Sequence, residues 1–358
     1  MKRNIFFTAL MAVAATVLMA CNNSNDVFDE VKYRPSDSEQ AETGNGGYLF
    51  AHMTNNDYGS LYYSISRDGK KWHTLNGSKV ILQGYLGHPN ICKGGDGRYY
   101  MIGVSRTPSD GNRYPILYVS DDLLTWKHKK LDRAIFDKID SRYENERVYL
   151  GAPKIFYDEA SKQFMITWHA FRKGLTSDAL WESMRTFYVL TKDWESFTEP
   201  QRIFNFTGDD AEMATIDAIF YYDNGKYYCV VKDERWPSTA ATGKTIRICS
   251  SNNLTGPYSN PSAPINRTAG ESWEESKWQE APIAVKKIDG SGWFIYTDRY
   301  AGKQDGEPYA CYEASDLSQT KWTRIGNTEM PHLCQHGDVI TISESEYQAL
   351  LKAFPLAE

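Results

Sequence analysis

One short pattern recurs five times along this chain. A strand-like run is followed by Ser or Thr, one residue, an Asp or Asn, and an aromatic a few positions later. It reads Ser66-x-Asp68 with Trp72, Ser120-x-Asp122 with Trp126, and Thr191-x-Asp193 with Phe197. Looser copies are Ser251-x-Asn253 with Tyr258, and Asp316 with Trp322. The Asp or Asn positions lie 54 to 71 residues apart. A fixed internal period of this kind means copies of one supersecondary unit, stacked or arranged in a ring. Each copy has the chemistry of a tight turn: a short carboxylate accepts backbone N–H groups while the ring packs nearby.

A second pattern precedes four of the copies: an apolar run, a turn, then an aromatic strand. The runs begin at Asn90, Lys154, Ala218 and Ile283, and the turns sit at Asp96-Gly97, Asp158, Asn224-Gly225 and Asp289-Gly290. Asp-Gly and Asn-Gly between alternating strands are strong hairpin signals. The fifth unit is split. Tyr48–His52 and Leu61–Ser64 open the domain, and Val339–Ile342 supplies its missing strand from the far end. Pairing the two ends closes a ring and removes open sheet edges. The fold expected over residues 46–358 is therefore all-β, a five-bladed β-propeller of about four strands per blade. Helical periodicity is confined to Tyr347, Leu350, Leu351 and Phe354, after a capping box at Ser343 and Glu346.

Residues 1–21 read as a targeting segment. Lys2 and Arg3 precede an apolar stretch from Ile5 to Ala20, which ends Leu18-Met19-Ala20-Cys21. The run is short for a membrane span. Its end resembles a bacterial lipoprotein signal, which implies that Cys21 is lipidated and starts the mature chain. Residues 22–45 are polar and acidic and read as a flexible tether. The expected location is the bacterial cell envelope, with the membrane as partner through a lipid anchor. The formal charge of −6 becomes −8 once Lys2 and Arg3 are removed, and no basic run remains. That excludes nucleic acid as a partner class. The other cysteines, Cys92, Cys229, Cys249, Cys311 and Cys334, are scattered without zinc-ligand spacing. They read as buried thiols, with one disulfide left open by the oxidising compartment.

In a propeller the innermost strands line a central channel, and their starts converge on one face. Those starts carry His88, Lys154, Asp217, Glu280 and His336. The set Ile216-Asp217-Ala218, Glu280-Ala281-Pro282 and Gln335-His336-Gly337 resembles the motifs of glycoside hydrolase family 43 and its five-bladed relatives. The resemblance covers roughly residues 46 to 350. It implies that Glu280 is the general acid, that Asp217 orients it and tunes its acidity, and that His336 holds a central water or calcium ion. No other cofactor is implied. The family's catalytic base is an Asp at its first motif, and this chain has His88 there. Anionic neighbours would favour an imidazolium at His88, which cannot accept a proton from water. Lys154 adds a second positive charge. Near Trp273 and Trp278, poorly hydrated surroundings would keep a proton on Glu280.

Several further residues are candidates for contact with a sugar. His169 ends a strand after Trp168, and Arg235 and Arg299 end second strands beside Asp233 and Asp298. Each arginine fits either a substrate contact or an internal ion pair. Trp278 lies in a loop and fits either sugar stacking or blade packing. The 24 Tyr and 10 Trp suit both strands and sugar faces. The resemblance implies a carbohydrate substrate and an exo-acting glycosidase for arabinose, xylose or galactose residues, working as a monomer. His88 supports a competing reading, a propeller that binds carbohydrate without cleaving it.

Overall fold

The computed structural model describes residues 46–105, 114–146, 150–268, 270–301 and 307–356. The leader, Cys21 and the tether lie outside these residues.

The strands follow the repeat. Strands β1 (Gly47–Thr54), β2 (Asp57–Ser66) and β3 (His73–Thr74) begin the first blade. The second blade holds β4 (Ile91–Lys93), β5 (Tyr99–Val104), β6 (Pro115–Ser120) and β7 (Lys127–Lys130). Helix α1 (Arg133–Asp137) and the short β8 (Tyr143–Glu144) lead into the third, built from β9 (Gly151–Asp158), β10 (Gln163–Arg172), β11 (Arg185–Thr191) and β12 (Gln201–Arg202). Helix α2 (Ser177–Glu182) sits between β10 and β11. The fourth blade is β13 (Thr215–Asp223), β14 (Lys226–Asp233) and β15 (Thr245–Ser251). The fifth is β16 (Glu280–Lys286), β17 (Trp293–Asp298), β18 (Tyr309–Ala314) and β19 (Thr323–Ile325). Strand β20 (Cys334–Ile342) then pairs antiparallel with β1, with Phe50 opposite Val339, and the ring closes. The inner strands β20, β4, β9, β13 and β16 touch in that cyclic order.

The fourth blade departs from the expected four strands. The segment after β15 forms no strand, although the N–H groups of Ser259, Ser262 and Ile265 donate to Ser250, Ile248 and Ile246, and Asn266 Oδ1 accepts the Ile246 N–H. Pro257, Pro261 and Pro264 punctuate that segment, and a proline removes a ladder donor.

The turn motif behaves as its chemistry requires. Asp68 Oδ1 accepts the N–H groups of Lys70 and Lys71, both at 2.8 Å. Asp122 does the same for Leu124 and Thr125, and Asp193 for Glu195 and Ser196. The aromatic of each motif packs between blades. Trp72 lies against Phe50 and Tyr296, and Trp126 Nε1 donates to Tyr63 Oη at 3.0 Å. Five apolar cores result, one in each gap between neighbouring blades. The five cysteines named above are all free thiols, and Cys229 faces Cys249 across β14 and β15 unbridged. After β20, helix α3 (Glu344–Ala353) starts at a capping box formed by Ser343 and Glu346, and buries Tyr347 and Leu350.

Candidate functional site

The mouth of the channel is shaped by a bulge repeated at the start of four inner strands. Ala152, Asp217, Ala281 and His336 all have positive φ, from 26° to 51°. At each of them the pairing register with the neighbouring strand slips. Bulges re-aim side chains, and strained backbone of this kind clusters at functional sites. The bulge also corrects the expected equivalence. Asp217 and His336 occupy the bulge position itself, where the other two blades have alanine. Glu280 stands one residue earlier, in the place held by Gly151, Ile216 and Gln335.

These strand ends enclose a cavity of about 260 Å³, lined among others by His88, His169, Asp217, Glu280 and His336. Five of the residues expected at the site are thus brought together. Gly151 lets His169 in: a Cβ there would meet the His169 ring at 2.5 Å. Blade-to-blade hydrogen bonds hold the rim. Asp217 Oδ2 accepts the Ala281 N–H at 3.1 Å, and Asp298 Oδ2 accepts the His336 N–H at 3.1 Å.

Glu280 does not sit in the apolar setting expected of it. Its Oε2 is 3.0 Å from Lys232 Nζ, and its Oε1 is 2.9 Å from His336 Nε2. Burial alone would raise its pKa, but Lys232 and His336 outweigh burial and hold it well below the usual carboxylate range. The expectation of a proton kept by aromatic surroundings is therefore corrected, because Lys232 and His336 occupy both oxygens. Lys232 is itself buried and is shared with Glu234 at 2.7 Å, and Lys244 pairs with Glu234 in turn. Burial opposes the Lys232 charge, yet Glu234 and Glu280 raise its pKa far above the ordinary value.

His88 is also corrected. Burial lowers its pKa well below the ordinary value, and the charges of His336, Lys154 and His169 push the same way, against Glu280. Its neighbourhood is more cationic than the sequence suggested, and it disfavours the imidazolium. Its Nε2 lies 2.6 Å from Tyr58 Oη. His169 is lowered to about 4 by burial, with Asp217 opposing. For His336, burial lowers the pKa, but the Glu280 hydrogen bond and the charges of Glu280, Asp217 and Asp298 reverse it to a net rise.

The remaining expected residues lie elsewhere. Lys154 is buried in the channel outside the cavity lining, and the nearby Asp338 is raised by burial to about 6. Arg235 pairs with Asp233 and Asp210. Arg299 pairs with Glu307 and lines a separate groove with Trp273 and Arg324. Trp278 packs edge-on against Trp236. For both arginines the structure has the internal pair.

Three lining residues had no role in the sequence reading. Glu146 follows β8, and burial raises its carboxyl pKa. Trp181, on α2, is 41% exposed at the rim, and Tyr58 is 46% exposed beside His88. An exposed tryptophan in a connection was the one signal available for Trp181. Among the described residues, two groups have metal-binding spacing. One candidate ligand atom from each of His88, Asp217 and His336 lies within 4.8 Å of the others, and Glu280, Asp298 and His336 form a second such group.

A family described as "Probable glycosyl hydrolase domain", related to glycoside hydrolase family 43, matches residues 44–348. No curated protein matches the chain. Among solved structures, a thermostable family-43 glycoside hydrolase is 14% identical at a TM-score of 0.49, covering 80% of this chain and 91% of that one. An exo-beta-1,3-galactanase from Phanerochaete chrysosporium is 13% identical at a TM-score of 0.45, covering 70% of this chain. This chain spans 53% of that galactanase. An alpha-L-arabinofuranosidase from Lactobacillus brevis is 16% identical at a TM-score of 0.45, covering 67% of this chain and 72% of that one.

Proposed function

Since the chain belongs to the probable glycosyl hydrolase domain family related to glycoside hydrolase family 43, we propose that it hydrolyses O-glycosidic bonds of an oligo- or polysaccharide, releasing single terminal sugars. The observation that carries this reading is the cavity at the channel mouth. At about 260 Å³ it is at or below the small end of ligand pockets, room for one sugar ring and not for a passing chain. Three carboxyl groups, of Asp217, Glu280 and Glu146, and three imidazoles line it. Arabinose, xylose and galactose residues are the substrates to try first.

Glycoside hydrolysis needs a proton donor at the leaving oxygen and a group that activates water. Glu280 holds the family's donor position. Both its oxygens are occupied in the free protein, and Lys232 and His336 disfavour its protonated form. An arriving glycosidic oxygen must displace His336 from Oε1, and Glu280 must take up a proton before it can donate one, for which His336, 2.9 Å away, is the nearest source. Such contacts rearrange on substrate binding in many enzymes. Asp217 keeps the Ala281 backbone, and with it Glu280, in place.

The second reading, carbohydrate binding without cleavage, rests on the His88 position, where the family's base carboxylate is missing. Incubation with a panel of polysaccharides, followed by analysis of released monosaccharides, separates the two. Release of one sugar supports the hydrolase. Glycan binding with no release, together with release by His88→Asp, would favour the binding module.

A further inference from the structure

The two imidazoles at the channel mouth are each tied at one ring nitrogen and open at the other. His88 Nε2 lies 2.6 Å from Tyr58 Oη, and His336 Nε2 lies 2.9 Å from Glu280 Oε1. The Nδ1 atoms of both rings are buried and have no hydrogen-bond partner among the described residues. A buried polar atom without a partner is costly unless something binds it. The rings are tilted by 35° to each other with centroids 4.1 Å apart. Asp217 accepts the Ala281 N–H with Oδ2 and lines the same cavity. One ligand atom from each of the three residues lies within 4.8 Å of the other two.

We propose that His88, Asp217 and His336 bind a divalent transition-metal ion of the zinc class, through both Nδ1 atoms and one Asp217 oxygen. The donor set selects the ion. Two imidazoles and one carboxylate suit zinc and its neighbours, whereas calcium takes six to eight oxygens. The outer contacts fit as well. A metal-bound imidazole commonly donates its other N–H to a carboxylate or another acceptor, which fixes the ring. Glu280 does this for His336, and Tyr58 contacts the far nitrogen of His88. Three protein ligands leave one tetrahedral position open, and all three line the cavity, so that position faces it. The site differs from a calcium ion or water on His336 alone, because it requires His88. It is independent of the hydrolytic reading, since binding is measured whether or not a sugar is cleaved.

The test uses the full chain, stripped with EDTA and dialysed, then titrated with zinc chloride and separately with calcium chloride in a calorimeter. One zinc per chain is expected, with calcium unable to compete. Cobalt(II) should bind at the same site and show a visible absorption band of tetrahedral intensity. His88→Gln and His336→Gln should each lower zinc affinity by more than about 100-fold, since removing a ligand exceeds the loss from an outer partner. Tyr58→Phe keeps every ligand and changes an exposed residue, so it should fold normally and lower affinity by about 10-fold. If the histidine variants do not fold, Tyr58→Phe and the cobalt band decide. Failure of the folded wild type to bind zinc stoichiometrically would overturn the proposal. So would a preference for calcium, or zinc binding that folded His88→Gln and His336→Gln leave unchanged, which would place the ion on other histidines.

Discussion

The two walls of the cavity are built from the same repeat and differ in how their charges are settled. On the wall from blades four, five and one, Glu280, Lys232, Glu234, Lys244 and His336 form one chain of ion pairs. On the wall from blades two and three, burial lowers the pKa of His88 and His169 and raises that of Glu146, and Trp181 is half exposed. The first wall is electrostatically closed and stiff. The second has groups whose protons and contacts are still to be assigned by a ligand. Sites commonly separate their acid and base by giving them such unlike environments.

The largest expected effect tests which wall donates the proton. Glu280→Gln keeps the shape and removes the carboxylate. If Glu280 is the donor, kcat on a substrate with a poor leaving group should fall by about 10² to 10⁴. If that rate survives and Glu146→Gln removes it instead, the donor belongs to the open wall.

Next in size is the cost of unpairing the closed wall. Lys232 is 1% exposed and satisfies two carboxylates. Lys232→Met leaves Glu280 and Glu234 with one cation fewer. Breaking a buried pair in this way costs about 3–5 kcal/mol, read as a lower urea midpoint. Adding Glu280→Gln to Lys232→Met should recover part of the loss, because the two sites couple. Simple additivity would mean that the chain of pairs is no network.

What the sequence made legible follows from how local each interaction is. The turn motif is self-contained, since Asp68, Asp122 and Asp193 each bond to N–H groups two and three residues away. Five such turns were enough to count blades and to place His88, Asp217, Glu280 and His336 at one mouth. The repeat predicts a fourth strand in blade four, but the prolines at 257, 261 and 264 lack ladder donors and the blade has three. The pairing of Glu280 is not legible in the sequence, because its partner Lys232 is 48 residues away, on the second strand of the preceding blade. Nothing local marks that lysine as facing inward. The one-residue offset between Asp217 and Glu280 arises from bulges, which sequence pattern does not reveal. Glu146, Tyr58 and Trp181 lie outside the repeated inner-strand starts, so the repeat gave no equivalent position from which to read them.

The open wall should also respond to acid. His169 is buried and lowered to about 4, against an unfolded value near 6.5. The unfolded chain therefore binds more protons between those values, and stability falls as pH drops through that window. His52, buried and also lowered to about 4, acts in the same direction. Each contributes a slope of up to about 1.4 kcal/mol per pH unit. His169→Asn should remove one group's share of that slope between pH 6.5 and 4, measured by urea unfolding at a series of pH values. An unchanged slope would mean that His169 is already protonated in the fold and that the open wall is charged.

The smallest effect concerns Trp181, and it decides whether the open wall binds the sugar at all. Its ring lines the cavity and is 41% exposed, a large apolar surface left in water beside the candidate site. A sugar presents an apolar C–H face, and ring contacts of this order add about 0.5–1.5 kcal/mol. Trp181 lies on α2 and is absent from all five interblade cores, so Trp181→Ala should cost little stability. If the ring only holds the sugar, it contributes equally to the ground and transition states. KM should then rise by about 2- to 10-fold with kcat unchanged. A fall in kcat at constant KM would instead assign Trp181 a contact made only during the reaction. No change in either would leave the sugar resting on the paired wall alone, and the division of labour between the two walls would fail.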